Sequence, residues 1–274
     1  MFMTPEELYQ KGLEVDCKRD YEVACSYFRQ AAEQGYAPAQ HELAMCYYHG
    51  YGIERDMSLH FSWEMKAAEQ GYTEAEYGVG CCYQDGDGVE MDDYEAAKWF
   101  RKAAEKGHVE AQNELAEILE YECCGSSQEI FSWYKKAADQ GNLDSAYRVG
   151  RMYKYGSGTE QNYKKAMEYF RKVAFSKADA FDYPIEDSMR EIGWLYYYGQ
   201  GVEKDERKAL IWFKKSVEQI RHYPKRQEWY EEVESFVKDA NVWDCLKKYI
   251  GKDGKIIDAE LELRDNEDDR GCIT

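Results

Sequence analysis

Apolar residues recur along the chain at helical spacing, in pairs of segments. The first segment of a pair carries small and aliphatic residues, as in Ala39, Leu43, Ala44 and Tyr47. Residues three or four positions apart lie on one face of an α-helix. The second segment carries a large aromatic residue and then two alanines, as in the stretch that begins at Trp99. The pattern predicts pairs of amphipathic helices, here named helix A and helix B.

The helix pairs are copies of one unit. The string Ala-Ala-Glu-Gln-Gly begins at Ala31 and again at Ala67, and variants of it begin at Ala103, Ala137, Val173 and Ser216. The spacings are 36, 36, 34, 36 and 43 residues. A large aromatic residue precedes each copy by four positions: Tyr27, Trp63, Trp99, Trp133, Tyr169 and Trp212. Landmarks that recur in phase indicate a repeat protein.

Turn and cap residues recur with the same period. The connection between the two helices carries glycine pairs: Gly50 and Gly52, Gly86 and Gly88, Gly156 and Gly158, Gly199 and Gly201. Residues with a short side-chain oxygen stand where helix B begins and suit a helix N-cap: Asp56, Asp92, Asn162 and Asp205. A glycine follows helix B, where the left-handed conformation costs it little: Gly35, Gly71, Gly107 and Gly141. One unit cannot bury both apolar faces, so the units are expected to stack as a solenoid.

The full pattern resembles the Sel-1-like repeat (SLR) family, a relative of the tetratricopeptide (TPR) repeats. It reads Ala-x-x-x-Leu-Ala/Gly-x-x-Tyr, Gly-x-Gly-Val, and Asp-x-x-x-Ala-x-x-Trp-Phe-x-x-Ala-Ala-Glu-x-Gly, and residues 73–108 nearly match it throughout. The resemblance implies an all-α fold, a right-handed αα-superhelix of about six repeats that acts as an adaptor between proteins. The solenoid would span residues 4–221, with repeats 1 to 6 at about 4–36, 37–72, 73–108, 109–142, 143–178 and 185–221.

Some copies depart from the pattern. Repeat 1 lacks the glycine turn, repeat 4 is shorter and has Ile130 at an alanine position, and His60 holds that alanine position in repeat 2. An insertion near 175–185 contains Pro184, which allows a bend in the stack or a loop over one face. Residues 222–264 are expected to form a C-terminal cap, with a strand or a short helix over 255–264. The acidic residues 265–274 are expected to be disordered.

Composition and charge narrow the function. The formal net charge of −18 argues against a nucleic-acid binder, which needs basic residues, and disfavours an anionic membrane surface. It suits a basic partner. No stretch is apolar enough to span a membrane, and the N-terminus reads as a helix start, with Thr4 as N-cap, Pro5 at the first position and Glu7 completing a capping box. Nine cysteines, some adjacent, favour a reducing cytoplasm over a disulfide framework.

No motif predicts catalysis, a cofactor or a metal. The glycine pairs lack the third glycine and the βαβ unit of a dinucleotide site. The acidic stretch from Asp85 has Val89 where a calcium loop needs an oxygen ligand, and the pairs Cys81–Cys82 and Cys123–Cys124 lack zinc spacing. We therefore expect no enzyme activity.

A partner is expected on helix A, at positions that face away from helix B and line the concave surface of TPR-like solenoids. They lie two before, two after and five after the buried Leu or Val position. The set is His41, Met45, Tyr48, Tyr77, Cys81, Gln84, Asn113, Glu117, Glu120, Tyr147, Arg151, Lys154, Arg190, Trp194 and Tyr197.

Three functions follow from the sequence. The first is a scaffold or adaptor that binds a protein or peptide in this groove. The second is an immunity protein or inhibitor that masks a toxic effector with a basic active site. The third is a hydrolase of cell-wall compounds, although relatives proposed for that role carry regularly paired cysteines that this chain lacks. The sequence predicts neither the partner nor the oligomeric state.

Overall fold

The computed structural model describes residues 3–17, 20–122, 125–176 and 184–221, and for 217–221 only the backbone. These residues form twelve α-helices and no strand. The all-α prediction is therefore confirmed. Helices A and B alternate: α1 Pro5–Asp16, α2 Tyr21–Glu33, α3 Ala37–His49, α4 Met57–Glu69, α5 Thr73–Asp85, α6 Asp93–Glu105, α7 Val109–Tyr121, α8 Ser127–Asp139, α9 Leu143–Tyr155, α10 Tyr163–Ala174, α11 Pro184–Tyr198 and α12 Glu206–Arg221.

The predicted caps set the ends of the helices. Thr4 accepts a hydrogen bond from the Glu7 amide, and the Glu7 carboxylate accepts one from the Thr4 amide, which completes the capping box. The side chains of the four predicted helix B caps accept bonds from amides of the first turn. The glycines that follow helix B have positive φ angles between 82° and 105°. The sequence thus encodes where each helix starts and stops.

The described residues fall into two compact units. The first contains the residues up to Val149 and Ser157–Thr159, and the second contains the other residues from Gly150 onward. Within the first unit each helix from α1 to α8 packs against the next, and within the second unit α10 packs against α11 and α11 against α12. The predicted right-handed winding of the whole chain stays a prediction.

An aromatic ring of helix B packs on a small residue of helix A in most repeats. A Cβ built on Gly80 would lie 2.5 Å from the Phe100 ring, and one on Gly12 would lie 2.4 Å from Phe28. The second unit repeats the contact with Gly150 on Phe170 and Gly193 on Phe213. All four rings are at most 4% exposed. The absence of a side chain lets the two helices approach closely enough to bury the ring.

The second glycine of each turn has a steric role. A Cβ on Gly88 would lie 2.1 Å from the Met57 carbonyl oxygen, and one on Gly158 would lie 1.9 Å from that of Ser127. Each of these oxygens belongs to the first residue of the preceding helix B. The turns therefore pack closely against the preceding repeat.

Lysines of helix B lie over the ring faces of the repeated tryptophans. In the first unit three lysine ammonium groups lie 3.4–3.6 Å from a ring centroid, within cation–π range. The pairs are Lys66–Trp63, Lys102–Trp99 and Lys136–Trp133. These positive charges therefore lie on helix B.

The departures from the repeat have structural counterparts. Pro184 is the first residue of α11, where a proline fits the free end of a helix. Residues 177–183 of the insertion, Cys123–Cys124, and the predicted cap and tail beyond residue 221 lie outside the described residues. Of the helices described, none is long and apolar enough to cross a membrane.

Replacing Gly88 by alanine tests the steric role of the turn. The new Cβ would overlap a backbone carbonyl in addition to forcing alanine to a φ of 75°. We expect a loss of roughly 2 to 5 kcal/mol in the free energy of unfolding, measured by urea denaturation. Gly107→Ala is the matched control, because its φ is also positive but no atom lies within 4 Å of its Cβ. Equal losses in the two variants would contradict the close-approach explanation.

Candidate protein-binding surface

The predicted contact positions of the first unit lie mostly at the surface of the helices A. Side chains of intermediate exposure are His41, Met45, Tyr48, Tyr77, Cys81, Gln84, Glu117 and Tyr147. Glu120 is exposed. Asn113 is only 6% exposed and accepts a 2.7 Å hydrogen bond from the Ser145 hydroxyl, so its side chain joins neighbouring helices A.

The second unit contains the other predicted positions. Arg151 is exposed, and Lys154, Arg190, Trp194 and Tyr197 are of intermediate exposure. Two of the cations bind acids of α11: Lys154 lies 2.5 Å from Glu191, and Arg190 pairs with Asp187. The Trp194 ring stacks on Tyr198 and contacts Phe213 edge-on. The predicted basic character of this surface is thus partly neutralised, and Trp194 also contributes to packing.

Carboxylates without a lysine or arginine partner mark helix A of the first unit. Glu42 lies on α3, and Glu114 and Glu117 lie on α7, all of intermediate exposure. Within the described residues no Lys or Arg pairs with any of them. Two of them have amide neighbours instead: Gln84 donates to Glu114 over 3.3 Å, and Asn113 donates to Glu117 over 3.2 Å. The charge of His41 acts on the third, Glu42. We name these three residues the acidic face.

The surroundings of two of these carboxylates favour the neutral acid. Burial raises the pKa of Glu42, His41 opposes this, and the carboxylates of Asp16 and Glu64 raise it further. Burial also raises the pKa of Glu114, and neighbouring acids add to the shift despite the bond from Gln84. Both groups would therefore gain from a cation placed beside them.

Repeat 2 breaks the aromatic pattern at Glu64. This residue follows Trp63 on α4, and in the other repeats the equivalent position is Phe or Tyr. Those aromatic residues are Phe28, Phe100, Tyr134, Phe170 and Phe213. Glu64 is as buried as they are, with no exposed surface. A carboxylate therefore occupies a core position that is aromatic elsewhere.

His41 is the direct partner of this buried acid. Its Nδ1 lies 2.9 Å from Glu64 Oε1 and 3.1 Å from Oε2, so a single N–H faces both oxygens. Of the two, Oε1 receives no well-directed hydrogen bond. On the other side, a Cβ on Gly78 would lie 2.9 Å from the Glu64 Cδ. The carboxylate thus lies between α3 and α5, in space left empty by a glycine.

His60 completes the polar cluster of repeat 2. It lies one turn before Glu64 on α4 and is 5% exposed. Its Nδ1 lies 3.0 Å from the carbonyl oxygen of Ala44, the small residue of helix A. The imidazole thus contacts the position on which an aromatic ring rests in other repeats.

The pair of His41 and Glu64 holds protons more tightly than the free groups do. Burial lowers the pKa of His41, but the bond and the charge of Glu64, helped by Glu42 and Glu74, raise it above 6.5 overall. Burial raises the pKa of Glu64 above 4.5 despite the opposing effect of His41. Both shifts favour the protonated pair.

The cluster matches neither a metal site nor a reactive thiol site. The described residues contain no group of three His, Cys, Asp or Glu side chains placed to hold a metal ion. Burial raises the pKa of the nearby Cys81 thiol to about 11, so it is mostly unreactive at neutral pH.

Glu64 is absent from the set predicted from the sequence. That set contains His41, and the sequence also marks His60 as a departure at an alanine position. Aligning the residue after each repeated aromatic would have shown the acid. The spacing rule selects exposed positions on helix A. It therefore does not detect Glu64, which is a buried residue of helix B whose side chain lies between two helices A.

Replacing the two polar residues of α4 by those of other repeats is expected to stabilise the protein. His60→Ala with Glu64→Phe restores the ring and removes a buried charge. Replacing a buried ion pair by well-packed apolar residues raises the free energy of unfolding by at most about 4 kcal/mol. Urea denaturation should show a gain of about 1 to 4 kcal/mol. The reverse exchange in repeat 3, Ala96→His with Phe100→Glu, is the control and should destabilise. A loss of stability in the first variant would contradict this account.

The same variant tests the proton affinity of the pair. The raised pKa of His41 adds stability that is fully present below pH 6.5 and is lost as the pH rises through the folded-state pKa. The folded-state pKa of Glu64 is also raised, so its contribution to the free energy of unfolding likewise falls as the pH rises above 4.5. The stability of the wild type relative to the His60→Ala/Glu64→Phe variant should therefore fall between pH 4.5 and neutral pH. A relative stability that is flat or rises with pH would refute the assigned directions.

Comparisons with known proteins agree with the repeat architecture. The sequence model of the Sel1 repeat family matches residues 7–36, 37–72, 73–108, 131–142, 143–174 and 186–219. The DAP3-binding cell death enhancer 1 of Rattus norvegicus is 49% identical over 39 residues, which are 14% of this chain and 8% of that protein. This chain therefore matches only a small part of that relative's length.

Solved structures show the same fold. The Sel1 repeat protein from Oxalobacter formigenes has a TM-score of 0.67 and 27% identity, covering 77% of this chain and 85% of that chain. The protective antigen c5321 of uropathogenic Escherichia coli, described as displaying an SLR fold, has a TM-score of 0.67 and 32% identity. That match covers 80% of this chain and 49% of c5321. Because the matched repeats span more than half of the chain, the protein belongs to the Sel1 repeat family.

Proposed function

We propose that this chain is a non-catalytic scaffold and that the acidic face of its first unit binds a basic segment of another protein. The observation that carries the proposal is the set of three acids on helices A without a lysine or arginine partner among the described residues. Partial burial removes water from a carboxylate and opposes its charge, and without a nearby cation this cost is not offset. A partner's lysines or arginines would supply the missing charge.

The distribution of positive charge supports this surface over the opposite one. The lysines of helix B in the first unit lie against tryptophan rings, and Lys106 lies 2.8 Å from Glu76. The net charge of −18 adds a long-range field that attracts a basic partner and raises its association rate.

Aromatic residues add a second mode of contact. Tyr48 and Tyr77 belong to the predicted contact set and keep part of their surface exposed. Tyr77 stacks on His108 with ring centroids 4.5 Å apart, which fixes its orientation. The Tyr77 ring, held in place with Glu114 and Glu110 nearby, suits lysine and arginine through cation–π contact as well as charge. Tyr48 already has a cation, Arg55, 5.9 Å from its ring centroid.

The family relationship supports the coarser part of the proposal, because Sel1 repeat proteins generally mediate interactions between proteins. One relative is named for binding a protein, although only one repeat's length is matched. No observation on the described residues favours the alternative roles of an effector inhibitor or a hydrolase. Localisation in the cytoplasm stays a prediction.

Charge reversal tests the surface. In the Glu114→Lys/Glu117→Lys variant, binding of a lysine-rich peptide should weaken at least tenfold, by isothermal titration calorimetry at fixed ionic strength. The control variant Glu69→Lys/Glu105→Lys makes the same change in net charge at exposed positions of helix B. It should retain most of the affinity, because only the long-range field is reduced. Equal losses in both variants would show that the peptide responds to net charge alone and would contradict the proposed surface.

A further inference from the structure

We infer that the polar cluster of repeat 2 is an anchor site, where a lysine or arginine of the bound partner replaces His41 as the counter-ion of Glu64. The inference rests on the proposed function and adds to it one position on the surface. It rests on the geometry around Glu64 and on the residues that replace the repeat pattern there.

The first step concerns where the Glu64 carboxylate lies. Gly78 stands on helix A where other repeats have a long charged residue: Glu42, Glu114, Arg148 and Glu191. The first three are of intermediate exposure and Glu191 is 8% exposed, so this helix position reaches the surface in most of these repeats. Since a Cβ on Gly78 would lie 3.0 Å from both Glu64 oxygens, the carboxylate fills the space where such a side chain would begin. A residue of helix B thus supplies an acid directly beneath the helix A surface.

The second step concerns the cover over this acid. On one side it is covered by the backbone of Gly78, a residue of intermediate exposure. On the other side it is covered by the His41 imidazole, whose side chain keeps 20% of its surface exposed. A rotation of the imidazole would therefore open the carboxylate to a side chain approaching between α3 and α5.

The third step concerns what the acid lacks. Its Oε1 is buried without a well-directed hydrogen bond, because a single imidazole N–H faces both oxygens. A buried acceptor in this state costs free energy. A guanidinium offers five N–H donors and an ammonium three, and both keep their charge at neutral pH. Either group would satisfy both oxygens, which the imidazole does not.

The charges around the site favour a cation. His41 faces Glu64 on α4, Glu42 on its own helix and Glu74 on α5. Glu64 faces the two imidazoles of His41 and His60, together with Glu74 and the Cys82 thiol. Three carboxylates, Glu42, Glu64 and Glu74, thus surround two imidazoles. An added positive charge lowers the energy of this arrangement.

The cost in stability also points to a binding role. The aromatic residue present in every other repeat would bury apolar area without a charge. Repeat 2 instead has a buried acid, its histidine partner and a glycine that makes room for the acid. This combination makes the fold less stable. Sites that break local packing rules in this way commonly serve function.

Replacing His41 by a permanent cation has a consequence for protons. In the unbound protein the pair of His41 and Glu64 holds a proton. A lysine or arginine placed beside Glu64 stabilises the ionised carboxylate without that proton. On binding, this proton passes to the buffer. Carboxylates of the acidic face also lose protons when a cation binds beside them, so only the part of the release that depends on Glu64 reports on the anchor site.

Calorimetry in buffers of different ionisation enthalpy tests the inference. A lysine-rich peptide is titrated into the whole wild-type chain near pH 6.5, and the protons released follow from the dependence of the heat on the buffer. We expect release in the wild type. In Glu64→Gln the release should decrease, because the contribution of the anchor site is lost, and affinity should fall by roughly 10- to 100-fold. Glu76→Gln is the control, since Glu76 is a 4% exposed acid already paired with Lys106, and it should leave the release unchanged.

A second variant covers the case in which Glu64→Gln does not fold. Gly78→Ala retains the acid but pushes it from its place, and it should weaken binding and reduce the release. Unchanged proton release in either folded variant would overturn the anchor site and leave the acidic face intact. Peptide binding that fails in the wild type itself would instead contradict the proposed function.

Discussion

The contact between an aromatic ring of helix B and a small residue of helix A holds the two helices of most repeats together. Gly80 beneath Phe100 shows the principle, because any side chain at residue 80 would collide with the ring. The ring can be buried only when the two helices approach closely, and the turn glycine then reaches the preceding helix B. Capping, turn and packing therefore depend on one another, which explains why all three recur with one period.

Repeat 2 shows what happens when this contact is given up. With Glu64 in place of the ring, His60 contacts Ala44 and the acid turns toward His41 and Gly78. Polar groups then occupy the junction between two helices A, close to the acidic face. A solenoid tolerates such a change, because each repeat contacts only its neighbours and the rest of the stack remains packed. Repeat architecture thus allows a costly local feature for binding without loss of the fold.

Much of the fold could be predicted from the sequence because its rules are local. Thr4 and Glu7 form a cap from their spacing alone, and Gly88 marks a turn by its phase. The candidate site was only partly predictable. A count along helix A finds His41, but the bond from His41 to Glu64 joins residues on different helices, and the burial of Asn113 depends on Ser145 of the next repeat. Contacts between elements of this kind do not follow from one helix's periodicity.

Native-state hydrogen exchange, followed by mass spectrometry, tests most directly whether the aromatic contact stabilises the repeats that contain it. Helices α4 and α6 occupy equivalent positions in adjacent repeats, and each is 13 residues long. They differ in that α6 has Phe100 where α4 has Glu64. The account predicts that the amides of α4 exchange faster than those of α6 at neutral pH. Exchange from α4 that is as slow as from α6, or slower, would contradict it.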